Sequence, residues 1–440
     1  MPRKPSDVVV TGIGVVSAIG IGVDQFWESL REGKSGIRCL DARDDDGPKP
    51  PSDWRKSPHA GSWVGAPIVG FDAAQFVRPR KALKVMGREL QTAFAASQMA
   101  IEQSGIAQSL ETGAIAREQV ATIFGSQMLY GPASELLDAV RQSMNENRVA
   151  DITKFGDSAM RQIMPLWMLK YLPNMAACHV GISIGALGPN NTIVSGDTSA
   201  TAAMMESICT LERHGATSVV CGATGSRIDE TYLVYRGDAP MPTVAEPLAE
   251  TSLPHSKNAT GVVFGEAATA IIVESRTDAD ARSAKPLATV AGYASRFVAP
   301  ANGSRGSAKA IRLAIESAIE SAGLGADEIG LVISHAMGDP SRDEAEREAL
   351  TQTLSGAPVC TPAALLGHAG AASGGLHMIA AVLSLHHGTI PATPKHLLDS
   401  SALNVRLEPT PRPLAKPAVI VLTHNSQGNA NAIVFRGEAQ

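Results

Sequence analysis

The chain has 440 residues, 44% of them hydrophobic and 18% charged, so it can bury a large core and is not disordered as a whole. Lys and Arg number 38 against 43 Asp and Glu, and no basic block stands out, which excludes nucleic acid and anionic membrane as expected partners. Five scattered cysteines (Cys39, Cys178, Cys209, Cys221 and Cys360) lack metal-ligand spacing and read as reduced thiols of a cytoplasmic protein.

In chain order, residues 8–11 read as a strand entering a turn at Gly12-Ile13-Gly14, with a helix at 26–31. Asp7 before the apolar run and the glycines inside it distinguish this start from a secretion signal. Residues 40–80, rich in Asp, Pro and Ser, read as a long irregular excursion. A helix over 90–104 closes at Gly105, and 120–125 is short, apolar and stopped by Gly, as a buried strand is. Residues 130–180 read as helical. Their Met164, Trp167, Met168, Tyr171 and Met175 suit core or subunit-interface packing, or else the wall of an acyl pocket. A strand at 191–195, a helix at 198–214, a strand at 218–222 and a strand pair over 261–274 follow. No stretch of about 18 strongly apolar residues predicts a membrane span.

The second half replays this order: a strand at 287–291, a helix at 308–321 ending in Ala322-Gly323-Leu324, and a strand at 331–335. Two α/β halves sharing one core are expected, with mainly parallel pairing. Their bounds are 1–275, including long insertions at about 40–80 and 130–180, and 276–440.

Polar residues concentrate at three strand ends, where α/β sheets keep their chemistry. In Val194-Ser195-Gly196-Asp197-Thr198-Ser199-Ala200 a strand turns into a helix, which puts Asp197 at the helix start as either an N-cap or a reactive group. Ser334-His335-Ala336-Met337-Gly338-Asp339-Pro340 ends another strand and is followed by Asp343 and Glu346. In Leu366-Gly367-His368-Ala369-Gly370 the small residues allow close packing around the imidazole.

These segments resemble the β-ketoacyl-acyl-carrier-protein synthases of the thiolase superfamily. The resemblance runs from Val8–Ser17 through Leu172-Pro173-Asn174-Met175, Gly188-Pro189-Asn190, Gly265-Glu266-Ala267, Ser334-His335 and Gly367-His368 to Gly388-Thr389-Ile390-Pro391. It implies a thiolase-like fold, with duplicated βαβαβ halves forming a layered α-β-α-β-α core. It also implies catalytic positions at Asp197, His335 and His368, substrate contacts at Thr198, Met337, Gln427 and Gly428, and supporting acids at Asp343 and Glu346. Substrates would arrive on the phosphopantetheine of an acyl carrier protein. No other cofactor and no metal is implied, and the chain would dimerise with itself or with an active ketosynthase.

The departures from the family pattern bear on mechanism. Asp197 replaces the nucleophilic Cys, Ala363 replaces a Lys that would partner Glu346, and the C-terminal Phe-Gly loop shrinks to Asn425-Ser426-Gln427-Gly428-Asn429. A carboxylate is a weak nucleophile. At ~4 Å and an effective dielectric of ~20 it would also repel a developing oxyanion by about 4 kcal/mol, nearly three decades in rate. The expected role is therefore a non-elongating, chain-length-factor-like subunit that has kept its histidines. The alternatives are a malonyl-carrier-protein decarboxylase, or another Asp/His acid–base step on a carrier-bound chain.

Overall fold

A computed structural model describes residues 7–438 except 44–48, 302 and 401–403. Part of the 40–80 excursion thus lies outside the described residues. The remainder is short 3-10 turns around the small strand Val64–Ala66.

Five strands of the first half are β1 (Val8–Ser17), β2 (Val120–Gly125), β3 (Asn190–Ile193), β4 (Ser218–Ser226) and β5 (Phe264–Ser275). Those of the second are β6 (Ala288–Phe297), β7 (Ile329–Ile333), β8 (Val359–Cys360), β9 (Ala418–His424) and β10 (Asn429–Arg436). The spatial order is β3-β2-β4-β5-β1 in one half and β8-β7-β9-β10-β6 in the other. The pairings correspond. The strands that open and close each half (β1 with β5, β6 with β10) are antiparallel, as are β5 with β4 and β10 with β9. The remaining pairs, β4 with β2, β2 with β3, β9 with β7 and β7 with β8, are parallel. An antiparallel contact between Val8–Val10 and Ala288–Val290 joins the halves. The duplication expected from the order of elements is therefore present down to strand direction.

Helices complete the layers. α1 (Arg88–Ser104) covers β1, β4 and β5, and α3 (Ala308–Ala322) covers β6 and β10. Each stops at a left-handed glycine, Gly105 and Gly323. Between the sheets, α2 (Ser199–Glu212) and α5 (Ser373–His386) touch one another and strands of the first half, and α5 also packs on β9. α4 (Pro340–Thr353) starts at an Asp339 side-chain cap and packs on α3. Both sheet faces are covered, so the strands read as continuous apolar runs.

Three expectations change. Pairing is not mainly parallel: along the strand order four pairs are parallel and five antiparallel, because each half opens and closes on antiparallel strands. The turn at Gly12-Ile13-Gly14 is strand throughout, because β1 runs to Ser17. Its glycines serve the helix instead: a Cβ on Gly14 would lie 2.0 Å from the Ala96 carbonyl oxygen. The strand pair over 261–274 is one long strand, β5, with Glu266 inside it accepting from the Arg88 guanidinium and the Ile68 N–H. The 130–180 insertion forms helices Ser134–Gln142, Ile152–Gln162 and Met175–Ile184, pinned by Glu135, which accepts from Trp167 Nε1, Lys170 Nζ and Tyr171 Oη. Its Ile152, Met160, Leu166 and Met168 lie exposed rather than in the core.

Candidate active site

Three chain segments converge between the sheets. The loop after β3 makes a 3-10 turn over Gly196–Thr198 before α2 begins, with Gly196 at a positive φ. His335 follows β7, and His368 precedes the turn into α5. Close approach here needs missing side chains: a Cβ on Gly225 of β4 would meet the Ala369 carbonyl oxygen at 2.3 Å.

Asp197 does not cap α2. The N-cap position falls to Thr198, and neither side chain makes a capping bond there. The Asp197 carboxylate turns inward instead. Its Oδ1 accepts from His368 Nε2 at 2.9 Å and lies 3.4 Å from Arg227, and its Oδ2 lies 2.8 Å from Arg342. Burial opposes ionisation of Asp197, but His368, Arg342 and Arg227 outweigh it and hold the carboxyl well below the usual range. The repulsion expected from a bare carboxylate is thus met by two arginines on the spot. Arg342 also donates to the His424 carbonyl, tying α4 to the end of β9.

His368 has no ring nitrogen left over. Its Nε2–H donates to Asp197, and Ser373 Oγ, at 3.2 Å, donates to Nδ1. Burial keeps its pKa low despite the carboxylate. His335 is the reverse case. It is buried, with neither ring nitrogen hydrogen-bonded, and stands edge-on to His368, His377 and His424 at centroid distances of 5.6, 5.3 and 5.1 Å. Burial first, then these rings and Arg342, push its pKa well down, so it is a neutral imidazole.

The acids behind the site hold backbone and rings. Glu346 accepts from Ser334 Oγ at 2.6 Å, His424 Nε2 at 2.8 Å and the His335 N–H at 3.2 Å. Burial would raise its pKa, but these donors and His255 bring it to about 2. Glu346 is thus held by His424 and Ser334 without a Lys, and Ala363 is buried in an apolar cluster. Asp343 accepts the N–H groups of Met337, Gly338 and His255, yet burial still lifts it to about 7.

The structure thus brings Asp197, His335 and His368 together, with Glu346 beneath them. The expected substrate-contact residues have partners within the fold. Thr198 Oγ1 bonds back to the Ser195 carbonyl, and Met337 packs among Leu40, Ile228, Val262 and Phe264. Gln427 is exposed and bonds to Ser426, and Gly428 turns a loop fastened by Asn425.

Arg227, Arg342, His255, His377 and His424 are additional to the sequence reading. Arg342 shares a helix face with Glu346, one turn on, and His377 lies one turn beyond Ser373, so helical spacing from the named residues reaches both. A basic cluster was missed as well: Arg78, Arg80, Lys81 and Lys84 are exposed around the 3-10 turn Arg80–Val85.

Comparison with known proteins follows this geometry. The family model described as "Beta-ketoacyl synthase, N-terminal domain" matches residues 5–279, and its C-terminal counterpart matches 287–396. The 3-oxoacyl-[acyl-carrier-protein] synthase 2 of Synechocystis is 27% identical over 399 residues, 88% of this chain and 87% of that one. A polyketide beta-ketoacyl synthase 2 of Streptomyces coelicolor is 27% identical over 433 residues, covering 97% and 94%. Among solved structures, the ishigamide ketosynthase/chain length factor superposes with a TM-score of 0.78 at 20% identity, over 98% of this chain and 99% of that one.

Proposed function

Since the chain belongs to the β-ketoacyl synthase family, we propose that it is a non-elongating member, acting beside a Cys-bearing ketosynthase on chains carried by an acyl carrier protein. The observation that carries this reading is the clamp on Asp197. A carboxylate held by Arg342, Arg227 and His368 is neither a nucleophile nor a free base. No cysteine replaces it: burial pushes Cys221 and Cys360 up to about 12, and none of the five hydrogen-bonds to Asp197, His335 or His368 among the described residues.

The same geometry weighs against decarboxylation. Stabilising an enolate oxygen with two imidazoles needs two free N–H donors, and His368 has spent both nitrogens. It also weighs against acid–base work by the Asp197–His368 pair, which has no unbonded ring nitrogen to present to a substrate.

Two surfaces support partners. β3 ends the sheet and is exposed, and Ile182, Leu187 and Val194 stand exposed around it. An uncovered edge with apolar neighbours fits a second ketosynthase-type subunit. The Arg78–Lys84 cluster fits an acidic carrier protein.

The test is reconstitution with malonyl- and acyl-carrier protein, with and without a Cys-bearing ketosynthase of the same genome. The expected result is no CO2 release by the chain alone and an altered product length in the mixture. CO2 release by the chain alone, or products identical with and without it, overturns the reading.

A further inference from the structure

Each member of the clamp on Asp197 has a second anchor that does not involve Asp197. Arg342 pairs with Oδ2 and also donates to the His424 carbonyl. The Arg227 guanidinium lies over the Tyr232 ring at 4.7 Å and the Phe264 ring at 5.9 Å, where the ring faces attract a cation. His368 takes the Ser373 hydroxyl on Nδ1. The loop itself is tied by its own hydroxyls: Ser199 Oγ accepts the Ser195 N–H and donates to the Gly196 carbonyl, and Thr198 Oγ1 donates to the Ser195 carbonyl. Arg342, Arg227 and the His368 N–H are thus held around one point by groups other than the carboxylate they surround.

Donors also outnumber acceptors there. Nε of Arg342, Nε of Arg227 and both ring nitrogens of His335 are buried without a hydrogen-bond partner. Glu346 does not supply the missing acceptors, because its oxygens are taken by Ser334, His424 and the His335 N–H. Buried N–H groups left unmatched on two cations favour an anion in the space between them.

We propose that Arg342, Arg227 and His368 form a preformed carboxylate site, and that the Asp197 side chain is its permanent occupant, which shuts out a carboxylate-bearing substrate. The Asp side chain is –CH2–COO−, the same group that ends a malonyl thioester. Tethered and oriented, it competes at an effective concentration that a free ligand does not reach. An uncharged acyl group offers these cations no countercharge and is not the ligand of this site. The non-elongating reading supplies only the identity of the excluded substrate: an extender head would need the place that the chain's own side chain fills.

The test removes the occupant. Asp197→Gly deletes the carboxymethyl group, and acetate is its free equivalent. Thermal unfolding of the full-length variant is followed in sodium acetate, in sodium chloride of equal concentration, and with acetamide, the uncharged counterpart. Acetate is expected to raise the midpoint in a saturable way that chloride and acetamide do not, and to leave the wild type unmoved. Arg342→Met in the same background should abolish the response. If Asp197→Gly is unfolded in chloride, acetate should refold it, as read by circular dichroism. In calorimetry the malonyl thioester of N-acetylcysteamine should bind Asp197→Gly about tenfold more tightly than the acetyl thioester, the equivalent of one hydrogen bond to a charged group, and the wild type should show no such preference. No response of Asp197→Gly to acetate, an equal response in the wild type or to acetamide, a response that survives Arg342→Met, or equal affinities of Asp197→Gly for the two thioesters overturns the proposal. Acetate rescue without any effect of the wild type on a partner's products would fail the non-elongating role and leave this site standing. An altered product length without rescue would do the reverse.

Discussion

Asp197 and Arg342 are both buried, and each is the other's nearest countercharge at 2.8 Å. Removing one partner of such a pair leaves an uncompensated charge, which is worth far more than the pair itself contributes. Arg342→Met is therefore expected to cost about 3–5 kcal/mol in urea unfolding, and Arg342→Met with Asp197→Leu to recover most of that. Additive losses would show that the pair is not coupled. At this scale the sequence was only partly legible. His335 and His368 stand out because each sits at the end of an apolar or glycine-rich run. Arg227 and Arg342 come from distant segments, and nothing local marks either as facing residue 197. Of the two readings of Asp197, the N-cap fails for the same reason, since charges from elsewhere in the chain compete for its carboxylate.

Among the described strands, β3 ends the sheet with an exposed edge. The Pro189 and Ile193 carbonyls bond toward β2, so the alternate residues Asn190 and Thr192 turn their backbone groups outward. A charge placed beside such an edge blocks pairing across it. Leu187→Glu with Val194→Glu is expected to abolish co-sedimentation with the proposed partner ketosynthase without lowering the unfolding midpoint. Unchanged co-sedimentation would place the interface elsewhere. Strands and helices of the core were legible from apolar runs and closing glycines. The Gly12–Gly14 segment was misread because a glycine that admits a packed helix looks, in sequence, like a glycine that makes a turn. The strand pair at 261–274 was misread because Gly265-Glu266 looks like a hairpin, yet its Glu is buried against Arg88.

For the whole molecule, the histidine cluster sets an acid limit. Burial lowers His255 and His377 to about 4, below the ordinary value of 6.5. As pH falls through 6.5 the unfolded chain takes up protons that the fold refuses, so their contribution is complete above pH 6.5 and lost toward pH 4. Asp343 and Glu89 act oppositely: their raised values favour the fold at low pH, and that advantage fades as pH rises through about 7 and about 8. A variant isolates one histidine from this sum. His377→Gln lacks the acid penalty, so its stability relative to wild type should improve by about 3 kcal/mol between pH 7 and pH 4. Parallel stability–pH curves would contradict a buried neutral His377. The duplicated architecture itself was legible from the order of elements alone, because two halves with the same strand order require the same succession of strands and helices.

The central claim is that residue 197 is a clamped carboxylate that takes no acyl group, and intact-mass measurement after incubation with acyl-carrier protein tests it most directly. The wild type should keep its unmodified mass. Asp197→Cys, whose thiol would sit between Arg342 and Arg227 with a lowered pKa, should gain one acyl group. An acyl adduct on the wild-type chain, at Asp197 or at any cysteine, would contradict the account.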